Sequence, residues 1–341
     1  MKKYNVAVVG VTGAVGEEML RVLEEVDFPI NKLVPLASSR SAGSMVDYKN
    51  KEHKVLELTE TVFEEQDVEI ALFSAGGSIS AKFAPFAAEA GAIVIDNTSH
   101  FRMDDDIPLV VPEVNPNDIA LWKNRGIIAN PNCSTIQMVQ ALKPIDELYN
   151  IQRVDVSTYQ ATSGAGKSAM EELVLQMKDF FAFNLENSKI NKFPHQIALN
   201  LIPQIDKFTE NGYTKEELKM VNETRKIMHK DIKVSATCVR VPVLRGHSES
   251  VTITCEKDVD VDVIREAIKN GENLVLLDEV EKSIYPMPLL CTDKNETFVG
   301  RVRRDLHSPN IIHLFVVADN LRVGAATNAV RIAQKWIEME G

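Results

Sequence analysis

At 341 residues and a formal net charge of −11, the chain is long enough for two moderate domains and poorly suited to general binding of nucleic acid or an anionic membrane surface. No apolar run approaches transmembrane length, and an apolar strand begins directly after Met1-Lys2-Lys3 with no small-residue cleavage site behind it. Neither a membrane span nor a signal peptide is expected, and the chain reads as cytoplasmic.

The first half alternates short apolar runs with amphipathic segments. Tyr4 to Val9 reads as a strand, and Gly10-Val11-Thr12-Gly13-Ala14-Val15-Gly16 leads it into a helix over about Ala14 to Val26. Glycines there let the backbone turn sharply and approach a pyrophosphate, whose charge a helix N-terminus favours. Gly10, Thr12, Gly13, Ala14 and Val15 are the candidate contacts. The spacing departs from the commoner Gly-x-Gly-x-x-Gly, so a tight βα turn without a ligand stays open as an alternative.

The next apolar run, Leu33 to Ala37, continues into Ser38-Ser39-Arg40-Ser41. An NAD site usually places Asp or Glu at the end of this strand to hold the ribose 2′-hydroxyl. Here the hydroxyls of Ser38 and Ser41 and the Arg40 guanidinium suit a 2′-phosphate, which favours NADP; the alternative is a solvated Arg in a loop. Strands at Ile70 to Phe73, Ile93 to Ile95 and Ile127 to Ala129, with a helical pattern at Ser80 to Ala90, complete a parallel, doubly covered sheet. The first half is therefore expected to be an α/β, Rossmann-like dinucleotide-binding domain.

The pattern changes after about Asn130. Arg153 to Tyr159, Val234 to Val243, Ser250 to Glu256 and Ile311 to Ala318 read as longer strands, several alternating in polarity. Helices are expected at Lys167 to Phe181, Lys215 to His229 and Val261 to Lys269. This predicts a second, α+β domain with a mixed or antiparallel sheet. Val323 to Ile337 is helical and is assigned back to the first domain. The expected boundaries are 1–131 plus 322–341 for the NADP-binding domain and 132–321 for a catalytic and dimerisation domain.

Four widely spaced cysteines, with no Cys-x-x-Cys pair and no paired His beside them, argue against a disulfide scaffold or a metal site. Cys133 stands out. It follows the strand ending at Ala129, within Asn130-Pro131-Asn132-Cys133-Ser134-Thr135, and precedes a helical pattern from Ile136 to Leu148. A thiol beside a helix N-terminus gains nucleophilicity and free N–H groups for an oxyanion. Cys238 and Cys255 lie within strand patterns and read as core residues, and Cys291 follows Pro288-Leu289-Leu290 without a signal. A nucleophilic Cys needs a base, and His247, in the turn Arg245-Gly246-His247 between two strands, is a candidate because loops present functional side chains. Spacing alone does not choose it among the seven His residues.

Taken together, Gly10 to Gly16, Ser38 to Gly43, Asn130 to Thr135, Gln160 to Gly166, Glu216 to Lys219 and Arg240 to His247 resemble the aspartate-semialdehyde dehydrogenase family, essentially from end to end. The resemblance implies reversible conversion of aspartate 4-semialdehyde, inorganic phosphate and NADP⁺ to 4-phosphoaspartate and NADPH. That reaction belongs to the biosynthesis of lysine and diaminopimelate, threonine and methionine, and the resemblance also implies a homodimer or tetramer. Cys133 would be the nucleophile, His247 its acid/base partner and Gln160 an orienting group beside the thiol. Arg240 would clamp the α-carboxylate, a bidentate task suited to a planar guanidinium. Glu216 would meet the α-ammonium group, and Arg102 and Lys219 would hold phosphate. Ser163, Gly164 and Asn320 would approach the cofactor.

Two other readings compete. Ala161-Thr-Ser-Gly-Ala-Gly166-Lys167-Ser168 nearly matches the phosphate-binding Gly-x-x-x-x-Gly-Lys-Ser/Thr pattern of a P-loop nucleotidase, but its first Gly is Ala. A phosphorylating dehydrogenase acting on an N-acetylglutamate derivative would share the thiol, base and cofactor, and Glu216 argues for a free amino group instead. A non-catalytic dinucleotide sensor would leave Cys133 dispensable.

Overall fold

The computed structural model describes residues 2–340. They form two compact units: the chain up to Asn132 joined by the stretch from Ala325 onward, and the segment Cys133–Gly324 between them.

In the first unit, β1 (Tyr4–Val9) leads into α1 (Ala14–Glu25) and β2 (Ile30–Ala37). A hairpin follows, β3 (Met45–Tyr48) and β4 (Lys51–Lys54), then β5 (Leu56–Glu57), α2 (Val62–Glu65) and β6 (Ile70–Phe73). Next come α3 (Gly77–Glu89), β7 (Ile93–Asp96) and β8 (Ile127–Ala129). The sheet order is β5-β2-β1-β6-β7-β8, with every pairing parallel. Strands buried on both faces explain the unbroken apolar runs: Val6, Val8, Ile70, Leu72, Ile93 and Ile95 are buried on one face, and Ala7, Val9, Ala71, Phe73 and Val94 on the other. Because β2 lies on one side of β1 and β6 on the other, a crevice opens where their carboxyl ends diverge. Gly16 allows α1 to sit tight against this point, since a Cβ there would lie 2.3 Å from the carbonyl oxygen of Gly10.

The β3–β4 hairpin was not legible in sequence. It turns at Lys49 and Asn50, which take φ of 49° and 58° without a glycine, so the usual Asn-Gly signal is missing.

The second unit begins with α4 (Cys133–Tyr149), β9 (Ile151–Gln160), α5 (Lys167–Phe181), α6 (Lys215–Met228) and β10 (Lys233–Arg240). It continues through β11 (His247–Cys255), α7 (Val261–Asn270), β12 (Leu274–Leu276), α8 (Pro288–Cys291), β13 (Thr297–Arg304) and β14 (Ile311–Ala318). The sheet order is β10-β9-β11-β14-β13-β12. It is mixed: β9–β10 and β12–β13 are parallel, the remaining pairs antiparallel. Val154, Val156, Val251 and Ile253 alternate onto one buried face against Met138, Leu142 and Ile145 of α4, Met220 of α6 and Ile264 and Ile268 of α7. On the opposite face Tyr159 and Phe315 lie side by side, ring centroids 6.3 Å apart, with Tyr159 exposed.

Three details differ from the sequence reading. β10 ends at Arg240 rather than Val243, where the chain turns back and the Val241 N–H donates to the Gln160 carbonyl. β12 and β13 were not anticipated; β13 carries a register break between Gly300 and Arg303 that scrambles its alternation. The final helix is preceded by a π-helical turn at Arg322–Ala326.

That helix, α9 (Thr327–Glu340), belongs to the first unit, where Ala329, Val330 and Ala333 join its core. Asn328 donates to the carbonyl of Val110 at 3.0 Å and to the side-chain oxygen of Asn130 at 2.6 Å. No helix among the described residues is long and apolar enough to cross a membrane.

Candidate active site

The crevice in the first unit is a cleft of about 570 Å³, lined by Gly10, Thr12, Gly13, Ser38 and Arg40, with Ser74 and Ala75 from the end of β6. Ala14 and Val15 open α1, and Ser41 lies in the turn after β2 with its N–H on the Ser38 carbonyl. None of these three is among the lining residues. The positive end of the α1 dipole and the cation of Arg40 make this cleft chemically suited to a phosphorylated dinucleotide. One charged wall residue lies outside the sequence reading. Glu57 reaches the cleft from β5, where parallel register sets it beside Ala37 at the end of β2. A carboxylate thus stands near the usual position for a ribose partner, supplied by a neighbouring strand. No local motif could have revealed it.

Arg102 also belongs to the first unit, in the loop after β7, and is buried with a guanidinium N–H on the Asn97 carbonyl at 2.9 Å.

In the second unit the sheet register assembles the remaining candidates. Gln160 and Arg240 are paired across parallel β9 and β10, each the last residue of its strand. β11 runs antiparallel to β9 and starts at the same end, with Ser248 opposite Tyr159. Side chains alternate along a strand, so Gln160, Arg240 and His247 all turn to the helix-covered face. All three are buried. His247 is therefore not a loop residue as the sequence suggested but the first residue of β11. Its place is set by Gly246, whose φ of 91° is a left-handed conformation and whose N–H is held by the Asn320 side-chain oxygen at 2.9 Å.

Cys133 is the first residue of α4, three residues earlier than the helical pattern predicts. It is half-buried and outside any disulfide, whereas the other three cysteines are buried. Burial pushes the Cys255 and Cys291 thiols up, to about 11 and about 12, and raises that of Cys238 as well, so these are inert core groups.

One peptide unit holds two of the side chains together. The Ala161 N–H donates to His247 Nδ1 at 3.0 Å, and the Ala161 carbonyl accepts from Arg240 Nη1 at 2.6 Å. Burial pulls Arg240 below the ordinary guanidinium value, opposed by the charges of Glu216 and Cys133, which places both within its electrostatic reach. Burial, and then the Arg240 charge, hold His247 well below the ordinary imidazole value. Gly164 sits against this pair: a Cβ there would lie 3.0 Å from Arg240 Nη1 and 3.1 Å from His247 Nε2.

Glu216 comes from the first turn of α6, whose start is fixed by a reciprocal cap between Thr214 and Glu217. Glu217 also accepts the Cys238 N–H at 3.0 Å, tying the helix start to β10. Gln160 Nε2 donates to Glu216 Oε1 at 3.3 Å, and Lys219 Nζ donates to Glu216 Oε2 at 3.1 Å. Asp206, outside every motif, takes a second Lys219 hydrogen bond at 3.1 Å. Burial works against the Lys219 ammonium, but Glu216 and Asp206 outweigh it and its pKa is raised. Ser163 and Asn320 are buried and exchange hydrogen bonds at 2.9 and 3.1 Å.

The P-loop reading fails on geometry. A phosphate cradle needs free backbone N–H groups. Those of Thr162, Ser163, Gly164 and Gly166 are instead bonded to the carbonyls of Val243, Leu244, Ala161 and Ser163.

Family profiles agree with the division of labour. One described as "Semialdehyde dehydrogenase, NAD binding domain" matches residues 5–122, and one described as "Semialdehyde dehydrogenase, dimerisation domain" matches residues 142–323. The chain is similar to an aspartate-semialdehyde dehydrogenase of Campylobacter jejuni, 61% identical over 99% of each chain. It is similar to the crystal structure of aspartate semialdehyde dehydrogenase II from Vibrio cholerae complexed with ASA, at a TM-score of 0.96 and 49% identity over 99% of each chain. It also shares the fold of an aspartate semialdehyde dehydrogenase with NADP from Candida albicans, at a TM-score of 0.76 and 24% identity over 99% of each chain.

Proposed function

The chain belongs to the aspartate-semialdehyde dehydrogenase family, and from that premise we propose that it catalyses the reversible, NADP-dependent phosphorylating oxidation of L-aspartate 4-semialdehyde to 4-phospho-L-aspartate. It is an oxidoreductase acting on an aldehyde, in the route toward lysine and diaminopimelate, threonine and methionine. The single observation that carries the residue roles is the convergence of Gln160, Arg240 and His247 on one face and one end of the sheet, with Glu216 hydrogen-bonded to Gln160.

Cys133 attacks the aldehyde carbon, favoured as thiolate by the α4 N-terminus and by Arg240. Arg240 binds the α-carboxylate through its outer N–H groups, and Glu216 receives the α-ammonium. Gln160 orients the substrate, and His247 is the acid/base partner at the substrate oxygen. The nicotinamide, when bound, accepts the hydride. The resulting Cys133 acyl-thioester is opened by inorganic phosphate, held by Lys219 and Arg102. Gly10, Thr12, Gly13, Ser38 and Arg40 hold the dinucleotide; Ala14, Val15, Ser41, Ser163, Gly164 and Asn320 are further candidate contacts. Arg40 favours the 2′-phosphate of NADP, against the like charge of Glu57. The open face of the second sheet around Tyr159 and Phe315 supports a homodimer or a higher assembly built from it.

The test is NADPH formation by purified protein with aspartate 4-semialdehyde, with and without phosphate. Phosphate-dependent reduction that disappears in Cys133→Ala is the expected result; activity retained by the variant would overturn the assignment.

A further inference from the structure

Cys133 opens α4 and His247 opens β11, and a turn backs each of them. Against Cys133 lies Gly324, in the π-helical turn that follows β14. A Cβ on Gly324 would stand 2.6 Å from the Cys133 Cβ and 3.1 Å from its Cα. Gly324 takes no left-handed φ, so it is the closeness of the approach that excludes a side chain. Such wide turns are rare and are frequent at functional sites. Ahead of His247 lies the Arg245–Gly246 turn. His247 pairs with Ala318, the last residue of β14, so the chain leaving β14 runs beside the turn that enters β11.

Asp319 follows Ala318 directly, is fully buried, and bonds to both turns. Its Oδ1 accepts the Leu321 N–H at 3.0 Å and, more weakly, the Arg322 N–H at 3.4 Å, while its carbonyl accepts the Gly324 N–H at 3.2 Å. The turn that carries Gly324 is thus wound on this one residue. The same carboxylate takes Arg245 Nε, at 2.9 Å from Oδ1 and 2.7 Å from Oδ2. Oδ2 also accepts the Asp293 N–H at 2.7 Å. Asn320, the next residue, holds the Gly246 N–H at 2.9 Å.

We propose that Asp319 is a positioning residue that fixes the nucleophile and its acid/base partner relative to each other, acting on Cys133 through Gly324 and on His247 through Arg245. This rests on the reaction assigned above and adds a residue that serves it without being one of its reacting groups. A carboxylate suits the task because charge-assisted bonds are short and directional, and both of its oxygens accept. An amide of the same shape does not replace it. Whichever way it turns, its NH2 meets a donor: the Leu321 and Arg322 N–H groups on one side, or the Asp293 N–H on the other. A displacement of about 1 Å between reacting groups costs on the order of 10²-fold in rate. Because Asp319 positions the reacting pair rather than the substrate clamp, its loss should appear in kcat and spare KM.

Steady-state kinetics of Asp319→Asn should show kcat lowered by about 10–100-fold, with KM for the semialdehyde and the affinity for NADP⁺ within about two-fold of the unaltered protein. Adding Arg245→Gln should cost little beyond the larger single loss, since both changes break one linkage. The rate of Cys133 alkylation by iodoacetamide, with Cys133→Ser as the blank, supplies a readout that needs no substrate. Arg245→Gln, on the His247 side of the carboxylate, should slow it by about three-fold or more, and so should Gly324→Ala on the other side. Unchanged kcat in a folded Asp319→Asn, or a KM that rises as far as kcat falls, would overturn the proposal. Alkylation that neither Arg245→Gln nor Gly324→Ala alters would overturn it as well, even if Asp319→Asn does not fold. Failure of the assigned reaction is seen separately, as activity in Cys133→Ala.

Discussion

The cleft of the first unit and the polar cluster of the second are built by opposite means. Around the cleft, the contributing groups follow one another along the chain. Gly10, Thr12 and Gly13 lie in a single βα turn, and Ser38 and Arg40 in the next loop. What they offer is a close approach of the backbone at the α1 N-terminus and the exposed polar side chains of Ser38 and Arg40. In the second unit, Cys133, Gln160, Glu216, Arg240 and His247 are far apart in sequence and all but Cys133 are buried. There the side chains do the work, and each is positioned by another element: Gln160 and Arg240 by strand pairing, His247 by the Gly246 turn, Glu216 by the α6 cap. A motif-built site tolerates loss of one contact, whereas an assembly of buried charges does not, because each removal strands a partner.

The strongest way to break that contrast is at the thiol. Cys133→Ser should lower kcat by at least on the order of 10³-fold with little change in the binding of NADP⁺, measured by steady-state kinetics and by cofactor titration. Next is the buried clamp. Arg240→Lys loses a bidentate donor and the bond to the Ala161 carbonyl, so KM for the semialdehyde should rise by about 10–100-fold; an unchanged KM would mean that Arg240 does not bind the α-carboxylate. Gly164→Ala places a methyl group 3.0 to 3.1 Å from Arg240 and His247 and should reduce kcat by about ten-fold. In the first unit the effects should be smaller and opposed. Arg40→Ala is expected to weaken NADP⁺ by about ten-fold and NAD⁺ hardly at all, whereas Glu57→Gln should tighten NADP⁺ by a few-fold. Equal responses of the two cofactors would show that neither residue meets the 2′-position.

The smallest effects concern stability and pH. Glu249 is fully buried with neither carboxyl oxygen in a hydrogen bond among the described residues, and burial holds its pKa well above the ordinary value despite the nearby Gln137 amide. A raised folded-state pKa means that its contribution is intact below the unfolded value and is lost as pH rises through the folded one. Glu249→Gln should therefore raise Tm by a few degrees near pH 8, with the gain shrinking as pH falls toward the ordinary glutamate range. His247 has the opposite sign: its folded pKa is depressed, so its contribution is present above the ordinary imidazole value and is lost as pH falls below it. Thermal melts of Glu249→Gln and His247→Asn across pH separate the two groups.

Much of the first unit was legible because its physics is local. A parallel strand buried on both faces must be a continuous apolar run, and a turn that approaches phosphate must be rich in glycine. The sequence of the second unit disclosed its helices and most of its strands through periodicity, and Cys133 through its place before a helix. The role of His247 rested on family resemblance: the one local argument for it among seven histidines, a place in a turn, does not hold, because it opens β11. Its burial, its strand position and the Ala161 bond were invisible. So were Asp206 beside Lys219, Glu249 beneath the site, and Glu57 in the cofactor cleft. The amino-acid sequence by itself determined most of the strands and helices, though not the β3–β4 hairpin or β12 and β13, and which turn can receive a pyrophosphate, because those depend on neighbours a few residues away. Only the tertiary structure decided which side chains meet, because strand register brings Gln160, Arg240 and His247 to one edge and one face, and a shift of one residue would turn any of them away.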